Sequence, residues 1–173
     1  ALAGKFYKDY PGCQGASSQS GVISLTADKP LPDVAGWDLN FRIYWDGDLC
    51  EEVLNSPGTA RQPKIDKPGV GRIFLGSGAM NNGTKNNPCA TGDLFGDWRE
   101  ELLVRDGKDL LIYTTNYPTD FRIPTLWHDH QYRQGMVWET IGYNQPPHQS
   151  YFLGELEGIT VAPPPLTARN SLA

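Results

Sequence analysis

The feature that most constrains this chain is an internal repeat. Tyr44 to Leu54, YWDGDLCEEVL, lies over Asp93 to Leu103, DLFGDWREELL, at a constant offset of 49 residues. Gly, Asp, Glu, Glu and Leu coincide, far more than the roughly one identity expected of unrelated segments. A period of that size marks a supersecondary unit that cannot bury its apolar face alone and has to stack on its neighbours. It matches the roughly 40 to 50 residues of a β-propeller blade, and a chain of 173 residues would hold about three. Propellers close with roughly four to eight blades, because an open arc leaves sheet faces and strand edges uncovered. The repeat therefore implies either further blades beyond these residues or copies of the chain assembled into a ring.

The rest of the pattern is also all-β. Phe41 to Trp45, Arg72 to Leu75, Leu102 to Arg105, Leu110 to Thr115 and Met136 to Ile141 read as strands from their β-branched and aromatic content, with Tyr151 to Leu153 as a possible sixth. Asp106-Gly107 between two apolar runs is a tight hairpin signal. No segment reads as an amphipathic helix. Residues 55 to 70 and 76 to 92 read as long loops rich in Gly, Pro and Asn, longer than a compact domain usually keeps without a function. Residues 1–160 are expected to be propeller blades, and 161–173 an extended Pro-rich tail.

Composition narrows the partners. The formal net charge is −5, with no run of Lys and Arg to follow a phosphate backbone, which argues against nucleic acid. No apolar stretch approaches the roughly 20 residues of a membrane span. Cys13, Cys50 and Cys89 have no metal-type spacing and read as small buried apolar residues.

Both repeat copies could hold calcium, which takes oxygen ligands that alternate residues of a tight turn can aim at one centre. Asp93, Asp97 and Glu101 occupy the first, fifth and ninth positions of the second copy, and Asp46, Asp48 and Glu52 the third, fifth and ninth of the first. Gly47 and Gly96 permit the bend. A solvated acidic turn before a strand is the competing reading, and the second copy is the better candidate. Asn81-Asn82-Gly83-Thr84-Lys85 gathers amide, hydroxyl and backbone donors around an ammonium, a set suited to an acidic sugar. On the residues alone a plain turn, which also carries an N-glycosylation pattern, is the stronger reading. His128-Asp129-His130 would put two imidazoles on one face if the segment is a strand, with no third ligand evident, so structural or calcium-shell roles for His128 and Asp129 are favoured.

Taken together, YWDGDLCEE, NNGTK, DLFGDWREELLVRDGKDLLIYTTNYPTDFRIPTLWHD, QYR and GYNQPPH resemble polysaccharide lyase family 11, the rhamnogalacturonan lyases. The motifs run in order from about Tyr10 to about Gly154, and the chain looks like the C-terminal part of longer family members. The resemblance implies an eight-bladed propeller with bound calcium and a cleft for rhamnogalacturonan I, a pectic polysaccharide cleaved by β-elimination. It further implies that Asn82, Gly83, Thr84, Lys85 and Tyr143 line that cleft and that the protein is secreted or periplasmic. β-Elimination needs a cation to neutralise the galacturonate carboxylate and a base to take the C5 proton, and Lys85 and Tyr143 are the expected reacting pair, with the base not assigned between them. The alternative is a non-catalytic, calcium-stabilised carbohydrate-binding module, or a module that assembles into a propeller from copies of itself.

Overall fold

The computed structural model describes residues 1–17, 21–27, 29–31, 39–56, 59, 61–141 and 145–153. Among them are three separate antiparallel sheets, each formed by strands consecutive in sequence, and one short helix. The first sheet contains β1 (Leu2–Gly4), β2 (Gln14–Ser17), β3 (Gly21–Ser24) and β4 (Lys29–Pro30). The second contains β5 (Phe41–Ile43), β6 (Glu52–Asn55), β7 (Lys64–Lys67) and β8 (Gly71–Leu75). The third has β9 (Ala90–Gly92), β10 (Glu101–Asp106) and β11 (Asp109–Tyr113), in the order β11-β10-β9. The all-β expectation therefore holds, apart from the helix.

The sheets stack through their alternating side chains. Phe6, Ala16, Val22 and Leu31 of the first segment pack with Val53 of the second sheet. Phe41, Ile43, Leu54 and Ile65 of the second pack with Met80, Leu102 and Val104. On one face of a strand, alternate residues enter such an interface together, and burying each large aliphatic side chain contributes about 1.5–3 kcal/mol. A third cluster joins Tyr44, Leu49, Trp98, Leu126, Tyr132 and Leu153, so the two repeated turns and the helix share one small core.

The Asp106-Gly107 hairpin forms as read, with Leu102 opposite Tyr113 and Gly107 at φ +59°. Three expectations are corrected. Residues 55 to 70 are not simply loop, since they carry β7, which pairs with both β6 and β8. Met136 to Ile141 is not a strand: residues 130 to 139 form α1 (His130–Glu139), and Tyr151 to Leu153 is not a strand either. Asp129 caps α1 by accepting from the main-chain N–H groups of Gln131 and Tyr132. The inward face of the helix is Tyr132, Met136 and Glu139, a helical spacing whose third member is a carboxylate that apolar periodicity overlooks. Gly135 fits because a Cβ there would come within 2.9 Å of the Pro147 Cα.

Candidate functional site

In each repeat the two adjacent glutamates do different work, and both copies do it the same way. The second Glu closes its own turn. Glu52 Oε2 accepts from the N–H groups of Trp45 (2.8 Å) and Asp46 (3.3 Å), and Glu101 Oε2 accepts from Leu94 (2.8 Å) and Phe95 (3.1 Å). The first Glu reaches to the preceding sheet. Lys5 N–H donates to Glu51 Oε2 at 2.8 Å while Glu51 N–H donates back to the Lys5 carbonyl, and Tyr44 and Glu100 exchange the same pair of bonds. Buried carboxylates that accept main-chain N–H groups satisfy donors the turn would otherwise orphan, so the Glu-Glu pair is first of all a structural device.

The aspartates diverge. Asp48 Oδ1 accepts from Cys50 N–H (2.7 Å) and Asp97 Oδ1 from Arg99 N–H (3.2 Å), the same local turn in both copies. In the first copy the outer oxygens of Asp46, Asp48 and Glu52 lie within 4.8 Å of one another. Lys67 sits among them, its ammonium bonded to Asp46, to Asp48 Oδ2 at 2.8 Å and to Glu52 Oε1 at 3.0 Å. Burial alone would lower the Lys67 pKa, but Glu52, Asp46 and Asp48 outweigh it and hold the ammonium above the usual lysine range. In the second copy Asp93 is buried and fully engaged: Oδ1 accepts from Gly96 N–H, and Oδ2 from the Thr125 hydroxyl and Leu126 N–H. Asp97 pairs with Arg99, and Glu101 Oε1 accepts from the Thr114 hydroxyl at 2.9 Å. Among the described residues Asp93, Asp97 and Glu101 do not converge on one point. As folded, the carboxylates of the first set surround a lysine, and those of the second are bonded to protein donors.

The glycines at the repeated position bend their turns for different reasons. Gly96 has φ +80°, which side chains rarely adopt. At Gly47 the constraint is space, since a Cβ would lie 2.1 Å from the Pro118 carbonyl oxygen.

The Asn81 to Asn87 turn is pinned at its base and open at its crown. Asn81 N–H donates to the Asn87 carbonyl at 2.6 Å, and the Asn86 side chain donates to the Ser56 carbonyl at 2.9 Å. Asn82, at φ +43°, accepts from both the N–H and the hydroxyl of Thr84, and Asn40 donates to the Lys85 carbonyl at 2.7 Å. Asn82, Gly83, Thr84 and Lys85 are all exposed on a backbone held from several sides, an arrangement suited to meeting a polar ligand without reorganising. Sequence reasoning missed Arg61, whose guanidinium would be 3.8 Å from a Cβ at Gly83 and adds a second cation beside the crown. It lies 22 positions before Gly83 in a stretch read as loop, so no local motif signals it. Tyr143 and its neighbours 142 and 144 lie outside the described residues.

His128 and Asp129 are structural. Asp129 caps α1 and accepts from the Ser150 hydroxyl at 2.7 Å, while the His128 carbonyl accepts from Arg133. His148, which follows the Pro-Pro step, accepts from Arg42 at Nδ1 (3.2 Å), and desolvation together with the Arg42 charge brings its pKa down to about 4. All three cysteines are free thiols.

Comparison with known proteins places this geometry. The family model described as rhamnogalacturonan lyase family 11, C-terminal domain, matches residues 1–165. The chain is 44% identical over 156 residues to the rhamnogalacturonan exolyase YesX of Bacillus subtilis, covering 84% of this chain and 25% of that protein. It is 48% identical over 134 residues to the rhamnogalacturonan endolyase YesW of the same organism, covering 73% of this chain and 20% of that one. The crystal structure of rhamnogalacturonan lyase YesW superposes with a TM-score of 0.77 at 40% identity, covering 94% of this chain and 27% of that chain. A Bacillus licheniformis rhamnogalacturonan lyase gives 0.75 at 36% identity, covering 89% and 26%. The chain thus spans a quarter or less of the length of these two curated relatives, and its match lies in their family's C-terminal domain. With the family model matched over nearly its whole length, the chain belongs to the rhamnogalacturonan lyase family 11 C-terminal domain family.

Proposed function

We propose that this chain forms the C-terminal blades of a β-propeller rhamnogalacturonan lyase, and that its Asn82 to Lys85 crown lines one wall of the cleft. The observation that carries the reading is the pinned turn with four exposed polar positions, in a chain of this family. Stacked sheets of four, four and three strands support the propeller. The third sheet ends on β11, where Leu110 and Ile112 are exposed, and this supports further propeller material from a longer polypeptide at that edge.

The chemistry follows from the substrate. In β-elimination a base takes the C5 proton of galacturonate, the electron pair forms the C4=C5 double bond, and the bond from C4 to the glycosidic oxygen breaks. The leaving oxygen then takes up a proton. Charge builds on the galacturonate carboxylate as the C5 proton leaves, so a fixed cation beside it stabilises the transition state. Lys85, with Arg61 beside the same crown, supplies that charge from this chain, while the amides of Asn82 and the backbone at Gly83 orient the sugar. Lys85 and Tyr143 are the reacting pair: with Lys85 protonated as the cation Tyr143 is the base, and with Lys85 neutral as the base Arg61 is left to supply the charge. Calcium enters the proposal as a requirement of the longer enzyme with its polyanionic substrate, outside these two turns. Secretion, or export to a periplasm, follows from a polymeric substrate.

The test is far-ultraviolet absorbance during incubation with rhamnogalacturonan I, since only elimination makes an unsaturated uronate. The longer polypeptide carrying these residues is expected to raise the absorbance, and to do so less in chelator, while this chain alone leaves it flat. Binding of rhamnogalacturonan by the longer polypeptide with no absorbance change would make the crown part of a non-catalytic carbohydrate-binding module instead.

A further inference from the structure

We infer that Lys67 is the resident cation of the first acidic turn, its ammonium taking the position a divalent ion would occupy and freeing this turn from any need for calcium. The division of the carboxylate oxygens supports this. One oxygen of each carboxylate is spent on the backbone: Asp46 Oδ1 accepts from Asp48 N–H (2.9 Å), Asp48 Oδ1 from Cys50 N–H (2.7 Å), and Glu52 Oε2 from Trp45 and Asp46. The three remaining oxygens all face Lys67 Nζ. An ammonium has three N–H donors and no acceptor, so three converging carboxylate oxygens use its whole capacity. The Lys67 side chain is 17% exposed and Glu52 0%, which places the charges where they interact strongly and where leaving either alone is costly.

The second copy serves as an internal control. In register, Val53 faces Asp66 and Leu102 faces Tyr113, so one step along Glu52 meets Lys67 where Glu101 meets Thr114. The same alignment puts Phe95 where the first copy has Asp46. The copy with a carboxylate at this position has the lysine, and the copy with Phe95 there has a short hydroxyl. Charge and counter-charge are thus supplied together by one sheet, from the turn between β5 and β6, from Glu52 of β6 and from Lys67 of β7, and this is the arrangement expected of an internal replacement for a metal.

Two measurements on the full chain test the inference. First, bound ions are counted with calcium and with terbium in the wild type and in Asp48→Asn, whose amide keeps the bond to Cys50 N–H. Equal counts are expected, and loss of one tightly bound ion in Asp48→Asn would overturn the inference. Second, Lys67→Met is expected to lower the thermal midpoint, and calcium or terbium to restore part of it while leaving the wild-type midpoint unmoved. One extra terbium should bind per chain, with emission sensitised by Trp45 beside the turn. A lysine that is only a structural ion pair predicts the loss without rescue and without the extra ion, and that result would also overturn the inference. Should Lys67→Met not fold in either condition, the ion count in Asp48→Asn decides.

Discussion

Glu100 should be one of the most expensive carboxylates to remove, because it holds two buried donors on two different elements. Its Oε2 accepts from Tyr44 N–H at 3.0 Å, which ties the third sheet to the second, and its Oε1 accepts from the Tyr132 hydroxyl at 2.8 Å, which ties α1 to both. Burial pushes its pKa up to about 7, so at about pH 8 it is held as the carboxylate. Glu100→Ala leaves both buried donors unsatisfied. At about 1–3 kcal/mol for each orphaned group, the loss is about 2–6 kcal/mol. For a chain of 173 residues that is a drop in thermal midpoint of roughly 4–24 °C. Tyr132→Phe removes one of the same bonds from the other side and also strands Asp93 N–H, which donates to that hydroxyl at 2.8 Å. The two changes should therefore be non-additive, with a coupling of about 1–3 kcal/mol in a double-mutant cycle followed by urea unfolding. A Glu100→Ala midpoint within a degree or so of wild type, or strictly additive losses, would refute the idea that this carboxylate clamps the sheets.

Other consequences are as direct. Gly47→Ala drives a Cβ into the Pro118 carbonyl and should cost at least about 2 kcal/mol, whereas Gly107→Ala, in open space at φ +59°, should cost about 1 kcal/mol in the same unfolding assay. Leu54→Ala, at the centre of the interface between the second and third sheets, should cost about 2–5 kcal/mol. Burial pushes the Glu139 carboxyl up to about 9, partly opposed by the Thr91 N–H it accepts. A folded-state value above the ordinary 4.5 means that the folded chain holds this proton more tightly, so its contribution is complete below about 4.5 and is lost as pH rises through about 9. Thermal midpoints should fall over that window, and Glu139→Gln should flatten the decline.

Much of the architecture was legible because the repeat is carried by residues with fixed jobs. The second Glu of each pair closes a turn and the first clamps the previous sheet, so the Glu-Glu spacing reports a real structural period. The Asp106-Gly107 hairpin was equally plain. Strands such as β2 (QGAS) and β9 (ATG) were missed because they are built from small residues, whose strand character comes from pairing and from close packing instead of side-chain propensity. The helix was missed because Glu139 completes its buried face and Gly135 interrupts it, leaving Met136 to Ile141 to look like an apolar strand. In the site, a local motif pointed to the Asn82 to Lys85 crown. Lys67 and Arg61 could not be read, since each meets its partners only once β7 or the following loop has folded back, and nothing in their own sequence neighbourhood reports that approach.

The most direct test of the central claim is the rate of unsaturated uronate formation from rhamnogalacturonan I by the longer polypeptide, wild type against Lys85→Ala. The exposed crown position makes misfolding an unsuitable explanation for a loss, provided the thermal midpoint is unchanged. The account predicts a fall in turnover of at least about a hundredfold with that midpoint preserved. Turnover close to wild type would contradict it and remove Lys85, and with it the crown, from the chemistry.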